Sequence, residues 1–525
     1  MTAQAEADSV RAIHRALMRF NKRAERNNDE QLVATFVDSE PLYDLLSTEN
    51  NQVIYGRRGT GKTHAFKYHS EQVYNESAAS VYIDLRSVGS NGSIYSDTSR
   101  SLAERASTLV LDVLGALYEE LTSIAIARID DVSHPGQVTD RIEDLRASIT
   151  SVKITGTVEE AAEGIKASER NRSGEMILAA DPQLKLSLGK RTSAEETFSR
   201  RSNGIEQVHL DFGNIATSLR GLLQVLGLQR LWLMIDEWSE IPVHLQPYLA
   251  DLLRRTVLPV PEVTVKIAAI EHRTEFAILK ERGEYIGIEL GADVSADLNL
   301  DHYLVFDNNQ QKATNFFKTL LFKHYAISEN ALPTITSGDD LIQAIFTQAP
   351  AFEEFVRAVE GVPRDALNLA AAIATKAFGE KVSINHVRAA ALEWYQQDKS
   401  AVIRNSPELF KALNFIIDEI IGNRRARAFL FPSNTRHDLI EKLFDARLLH
   451  VLKRSVSSRD EPGARYDVYK IDYGCYVELI NTSKAPLSLF EADDELVEVP
   501  KDDYRSIRRA ILRPDELDMI TGAEP

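Results

Sequence analysis

Short apolar runs alternate with longer amphipathic stretches through the first half of the chain. Val53-Ile54-Tyr55 precedes a helix-compatible run from His64 to Val73. Ser80–Leu85 repeats the strand signal, and a long helix follows with Leu102, Leu109, Val113, Leu117, Leu121 and Ile124 on one face. A helix around Asp211–Leu226, an apolar strand at 231–237, a helix near Gln246–Arg255 and a strand Val263–Ile270 continue the rhythm, and Tyr285–Leu290 reads as the last strand. Strands alternating with helices in this way predict an α/β fold whose parallel sheet is covered on both faces.

The rest of the chain departs from that rhythm. Residues 1–40 read as a polar helical lead-in. In it Leu32, Val33, Phe36 and Val37 either pack on the core or form an apolar wall beside a ligand. Residues 131–205 are polar, contain Pro135 and Gly136, and carry the alternating pieces Val152/Ile154 and Leu184/Leu186/Leu188. They read as an insertion in a core of residues 41–296, either a partner-binding arm or a disordered loop. Residues 297–400 are wholly helical in pattern and predict an all-α lid. In 401–485 a helix at 407–421, a turn, a helix at 435–446 and strands Leu448–Arg454 and Tyr466–Ile471 predict a winged-helix layout. The tail 486–525 is charged, with one short helix expected near 502–512.

Residues 56–63 read Gly-Arg-Arg-Gly-Thr-Gly-Lys-Thr, a complete G-x-x-x-x-G-K-[ST] loop between a strand and a helix. Its glycines let successive N–H groups point inward, and the helix dipole adds positive potential, so the loop suits a polyphosphate. The nucleotide-binding residues expected are Gly56, Arg57, Arg58, Gly59, Thr60, Gly61, Lys62, Thr63 and His64. Lys62 would reach the β- and γ-phosphates, and the Thr63 hydroxyl would ligate Mg²⁺. The strand Leu-Trp-Leu-Met-Ile-Asp-Glu at 231–237 delivers two carboxylates to its C-terminal edge, Asp236 for Mg²⁺ and Glu237 for the attacking water. In the lid, Gly361-Val362-Pro363-Arg364 places Arg364 at a helix start, where it either reaches a γ-phosphate or forms a surface turn. Loop and acid strand together imply a nucleotide hydrolase. No N-K-x-D stretch specifies guanine.

Composition narrows the partners. The net charge is −17 over 525 residues, which argues against a protein coated in basic surface. Yet Arg424, Arg425, Arg427, Arg436, Lys453, Arg454, Arg459 and Arg465 gather in the C-terminal unit. They suggest either phosphate contacts with duplex DNA or a protein-docking face. A single cysteine, Cys475, excludes an internal disulfide and a thiolate metal cage, and a reducing cytoplasm is the expected compartment. No run of eighteen apolar residues is present, so no membrane span is expected.

Gly-Thr-Gly-Lys-Thr at 59–63, Ile-Asp-Glu at 235–237 and Gly-x-Pro-Arg at 361–364, in that order and followed by a winged-helix pattern, resemble the AAA+ ATPases of the origin-recognition-type initiator branch. The resemblance covers about residues 30–480 and implies ATP as the nucleotide and Arg364 as the second sensor. A first sensor would lie among Glu271, His272, Arg273 and Thr274. Arg282, with Arg273 second, is the best-placed candidate for a catalytic arginine finger acting in trans, and a homo-oligomer is compatible with that role. Arg57-Arg58 departs from the branch's usual Pro-Pro and is similar to the signal-transduction NTPases with numerous domains. That second resemblance implies a regulatory or defence-type ATPase whose C-terminal domain and insertion bind proteins.

Overall fold

Parallel strands buried on both faces must be apolar nearly throughout, and the central strands here are. A computed structural model describes residues 3–20, 28–75, 77–89, 93–132, 134–150, 152–155, 176–179, 205–280, 283, 285–307, 309–457, 462–481 and 510–521. Its main sheet has five parallel strands in the order Ser295–Asn299, Gln52–Tyr55, Val263–Ala269, Arg230–Asp236, Ala78–Asp84. Val263–Ala269 is buried at every position. Side-chain alternation sends Leu231, Leu233 and Ile235 to one face, under the helices Leu102–Ala127, Pro135–Ile149, Phe212–Val225 and Gln246–Thr256. Trp232 and Met234 point to the other face, where Phe66 of the helix Lys62–Val73 packs with Phe36 and Leu46. All five strands end on one rim, which carries the chemistry.

Three expectations change. Tyr285–Leu290 does not close the sheet: Tyr285–Gly287 pairs antiparallel with Ala277–Leu279, and Ser295–Asn299 is the fifth sheet strand. The true edge strand is Ser-Ala-Asp-Leu-Asn, too polar to signal itself. Residues 135–149, expected within the insertion, form a helix whose Val138, Leu145 and Ile149 are buried in the sheet-facing core. Pro135 and Gly136 start that helix instead of marking a turn. Next to it, Val152–Thr155 and Met176–Ala179 each pair antiparallel with Ile205–Leu210. Leu184, Leu186 and Leu188 lie outside the described residues.

The helices Gln310–Ala326, Gly338–Ile345, Ala349–Val359, Pro363–Lys376 and Ile384–Trp394 form the lid, joined by the N-terminal helix Ala3–Met18. Ile384–Trp394 runs on through Tyr395–Lys399 and Ser400–Arg404, so lid and C-terminal unit are linked by helix. The C-terminal unit has helices Pro407–Ile416 and Asp438–Asp445, with strands Leu449–Ser457 and Arg465–Ile471, where the pattern puts them. It adds a strand, Ala428–Pro432, paired antiparallel with Arg465–Ile471. Lid and C-terminal unit share one apolar core. The helix expected at 502–512 falls largely outside the described residues; Pro514–Thr521 is helical. Among the described residues no helix is long and apolar enough to cross a membrane.

Candidate functional site

The loop after Gln52–Tyr55 is shaped by its glycines. Gly59 (φ +94°) and Gly61 (φ +101°) occupy the left-handed region that side chains resist. Gly56 N–H donates to the Ala269 carbonyl at 3.1 Å, anchoring the loop to the neighbouring strand. Gly61 stands at the N-cap of Lys62–Val73, and no side chain caps that helix. Its first N–H groups are therefore directed at whatever the loop holds. Lys62 Nζ donates to the carbonyls of Gly56 at 2.5 Å and Arg57 at 3.1 Å. Burial pulls its ammonium below the usual lysine range, opposed by the nearby carboxylates Asp236, Glu237 and Asp301 and reinforced by Arg364. The loop lysine thus senses the charges of both the acid pair and the lid arginine.

Asp236 is fully buried. One carboxylate oxygen accepts from the Tyr82 hydroxyl at 2.8 Å, the other from Glu237 N–H at 2.8 Å. Glu237 has φ +56°, strained for a side-chain-bearing residue. Burial, then Asp236, raises its carboxyl above the ordinary range, while Arg86 Nη1 stands 3.5 Å from it. Arg86 is also paired with Asp84 at 2.6 Å. Tyr82, Asp84 and Arg86 escape a motif search. They are found by register, since Asp84 pairs with Asp236 across adjacent strands.

Pro363 opens the lid helix, and Arg364 N–H donates to the Gly59 carbonyl at 3.2 Å. A Cβ at Gly59 would stand 2.9 Å from Arg364 Cβ. The lid therefore rests directly on the phosphate loop. Between them a cavity of about 50 Å³ is lined by Phe36, Val37, Thr60, His64, Tyr303 and Phe316, among others. Phe36 and Val37 line it as a wall would, whereas Leu32 is buried elsewhere in the packing and Val33 is exposed. His64 Nε2 meets the Leu32 carbonyl at 2.8 Å, and burial lowers its pKa.

Other expected residues turn away from the loop. Arg57 is buried and points to the C-terminal unit, because two carbonyls and His450 meet its guanidinium there, while Asp301, just after the edge strand, binds its Nε. Arg58 is exposed and pairs with Glu240. Glu271, His272 and Arg273 pair with Arg454, Glu441 and Asp445 of the C-terminal unit. Thr274 bonds its own turn at the Ile270 carbonyl. Arg282 lies outside the described residues.

The basic cluster divides likewise. Arg424 is held by Glu419 and Glu516, Arg427 by Asp307, and Arg454 by Glu271 and Asp467. Arg425, Arg436, Lys453 and Arg465 are exposed. Arg459 is outside the described residues.

Residues 20–112 match a family model described as ORC-CDC6-like, a stretch that contains the phosphate loop. No curated protein matches. Among solved structures, the chain is similar to the Aeropyrum pernix Orc1 protein in complex with DNA, at 14% identity and a TM-score of 0.31, over 83% of this chain and 88% of that one. The origin-recognition resemblance read from the motifs and the family match agree. The architecture is an α/β P-loop ATPase fold with a helical lid.

Proposed function

We propose that the protein is a cytoplasmic, Mg²⁺-dependent ATPase of the AAA+ type whose nucleotide state controls engagement of duplex DNA. The observation that carries this reading is the Arg364 N–H bond to the Gly59 carbonyl, which sets the lid directly on the phosphate loop. In this reading residues 41–296 together with the remainder of the edge strand to Asn299 are the ATPase core, the helical residues from there to 400 the lid and 401–485 a winged helix. The loop backbone and Lys62 hold the phosphates. Arg364 meets the γ-phosphate, so its loss on hydrolysis frees the lid from the core.

The oxygen donors Thr63 and Asp236 suit a hard cation that keeps several waters. Thr63 and Asp236 would hold Mg²⁺, and the ion supplies charge neutralisation at the phosphates when bound. Glu237, a carboxyl with raised proton affinity beside Asp236, orients the attacking water. In this reading the base lies toward the cavity beside Phe36 and His64. Arg57 is not among the nucleotide contacts in this reading, and its role is taken up below.

Duplex DNA is engaged through Arg425, Arg436, Lys453 and Arg465, which are exposed in a chain of net charge −17. Gel-shift titrations with the ATP analogue or ADP, at two salt concentrations, test this. Affinity should fall steeply with salt and differ between nucleotides. Absence of duplex binding at low salt would sink the DNA half of the reading.

A second reading has its own support. The helix Asp438–Asp445 carries Asp438, Glu441 and Asp445, and two of these acids pair with the ATPase core. Such a helix is ill suited to a DNA groove. A regulatory or defence-type ATPase with protein partners, bound by the C-terminal unit or by residues 131–205, would show nucleotide-dependent protein capture with no salt-sensitive DNA retention.

A further inference from the structure

Arg57 stands inside the phosphate loop, yet its side chain is spent on another part of the molecule. Its side chain is 3% exposed, and that of Asp301 beside it 4%. Asp301 accepts from Arg57 Nε at 2.7 Å and from Arg57 N–H at 2.9 Å. Nη1 donates to the carbonyls of Phe444 at 3.2 Å and Leu449 at 2.8 Å, and Nη2 meets His450 Nδ1 at 3.1 Å. The guanidinium also lies 4.3 Å from the centre of the Phe444 ring. Four of its five N–H donors are therefore matched. Three of those bonds cap the end of the helix Asp438–Asp445 and the strand that follows, where a cation is favoured.

The same residue is wired to the phosphate position through its backbone. The Arg57 carbonyl accepts from Lys62 Nζ at 3.1 Å and from Thr60 Oγ1 at 2.9 Å. A phosphate that draws Lys62 away removes a donor from this peptide. The planar fork, held through four of its five N–H groups, belongs to that same residue. A second tie runs from His450 Nε2 to Asp472 (3.0 Å), from Asp472 to Lys399 (2.5 Å) and from Lys399 to Asp365 (3.4 Å). Asp365 adjoins Arg364, so the C-terminal unit is gripped next to both cations assigned to the phosphates.

We propose that Arg57 is a coupling residue that fastens the C-terminal unit to the phosphate loop, so that nucleotide at the loop sets how firmly the helix Asp438–Asp445 is docked on the core. The inference rests on the nucleotide-site reading above. The test uses the full chain, with Mg²⁺ and either ATPγS or ADP. Affinity is read with a fluorescent ATP analogue, and docking by hydrogen exchange over 438–452.

In the wild type, exchange over 438–452 should differ between nucleotide-bound and nucleotide-free protein by at least about fivefold. Arg57→Lys keeps the charge but loses the fork. It should erase that difference while nucleotide affinity stays within about threefold. His450→Gln, which cuts the same link from the other side, should do likewise and serves if Arg57→Lys fails to fold. A difference that persists in a folded variant overturns the coupling. Loss of nucleotide affinity in Arg57→Lys also overturns it and returns Arg57 to the phosphate site. Failure of the wild type to bind ATPγS overturns the function reading first and removes the input the coupling needs. Binding without any wild-type difference overturns the coupling alone.

Discussion

Replacing Gly59 by alanine separates two costs that the phosphate loop combines, and Gly61→Ala is the control. Gly59 and Gly61 have φ +94° and +101°, so both alanines carry a backbone strain of roughly 1–2 kcal/mol. A Cβ at Gly61 meets nothing within 4 Å, whereas one at Gly59 lies 2.9 Å from Arg364 Cβ and 3.3 Å from Val362 Cγ1. Only Gly59→Ala therefore pushes on the lid. The helix start must retreat by roughly 0.5–1 Å to reach ordinary contact, which takes the Arg364 N–H bond past good geometry. That bond contributes roughly 1 kcal/mol, and the looser packing adds a fraction more. The two variants should then differ by about 1–2 kcal/mol, or roughly 5–30-fold in the opening equilibrium of the lid helix. Native-state hydrogen exchange over 363–376, without nucleotide, reads this difference. Equal exchange in Gly59→Ala and Gly61→Ala would refute the claim that the lid rests on the loop through residue 59.

Four other outcomes are expected. Lys62→Ala should weaken ATP binding, while Glu237→Gln should bind ATP and hydrolyse it at least about a hundredfold more slowly; single-turnover assays decide, and wild-type rates in Glu237→Gln would remove Glu237 from the chemistry. Arg364→Ala should leave exchange across 297–400 the same with ADP as with the ATP analogue; an undiminished nucleotide difference would show that the coupler lies elsewhere. Replacing Arg425, Arg436, Lys453 and Arg465 by alanine should flatten the salt slope of duplex binding by about one for each phosphate no longer neutralised, whereas Arg424→Ala and Arg427→Ala, which each remove one partner from partly buried acids, should lower the unfolding midpoint instead. His450 is held neutral by burial, then by Arg57, with its pKa lowered from 6.5 to about 3. Between those values the unfolded chain takes up a proton that the folded chain refuses, so this group makes stability fall as pH drops, by at most about 1.4 kcal/mol per pH unit. His450→Gln should shallow the acid limb of Tm against pH, and an unchanged slope would argue against a neutral His450.

Local pattern carried the fold further than it carried the site's wiring. Loop, acid strand and lid helix each announce themselves within a few residues, because a glycine turn, an apolar run and a Pro-initiated helix are local events. Ser295–Asn299 was hidden because an edge strand need not be apolar on both faces. Ala428–Pro432 was hidden because a short apolar run between arginines and a proline resembles a turn. The partners of Arg57 lie 244 to 393 residues away in sequence, beyond the reach of any periodicity. The same blindness made the basic cluster look uniform. Arg424 and Arg425 are neighbours in sequence, but one is held by two glutamates and the other is exposed.

The chemistry of the contacts indicates which joint can move. Lid and C-terminal unit share one apolar core, and buried ion pairs bind them further: Lys470 with Asp307 and Glu360, and Lys399 with Asp365 and Asp472. Separating them would expose that core to water and break these buried pairs. Beyond the buried Arg57 link, the C-terminal unit meets the ATPase core at Glu271, His272 and Arg273 through polar pairs, in which Arg273, Arg454 and Glu271 are partly exposed and Asp445 is buried. Water can replace the more exposed of these pairs, Arg454 with Glu271, at little cost, since exposed ion pairs contribute only about 0–1 kcal/mol each. The lid and C-terminal unit should therefore swing as one body against the core. The lid touches the phosphate loop at Gly59, and the buried polar link at Arg57 is what such a motion must strain or break.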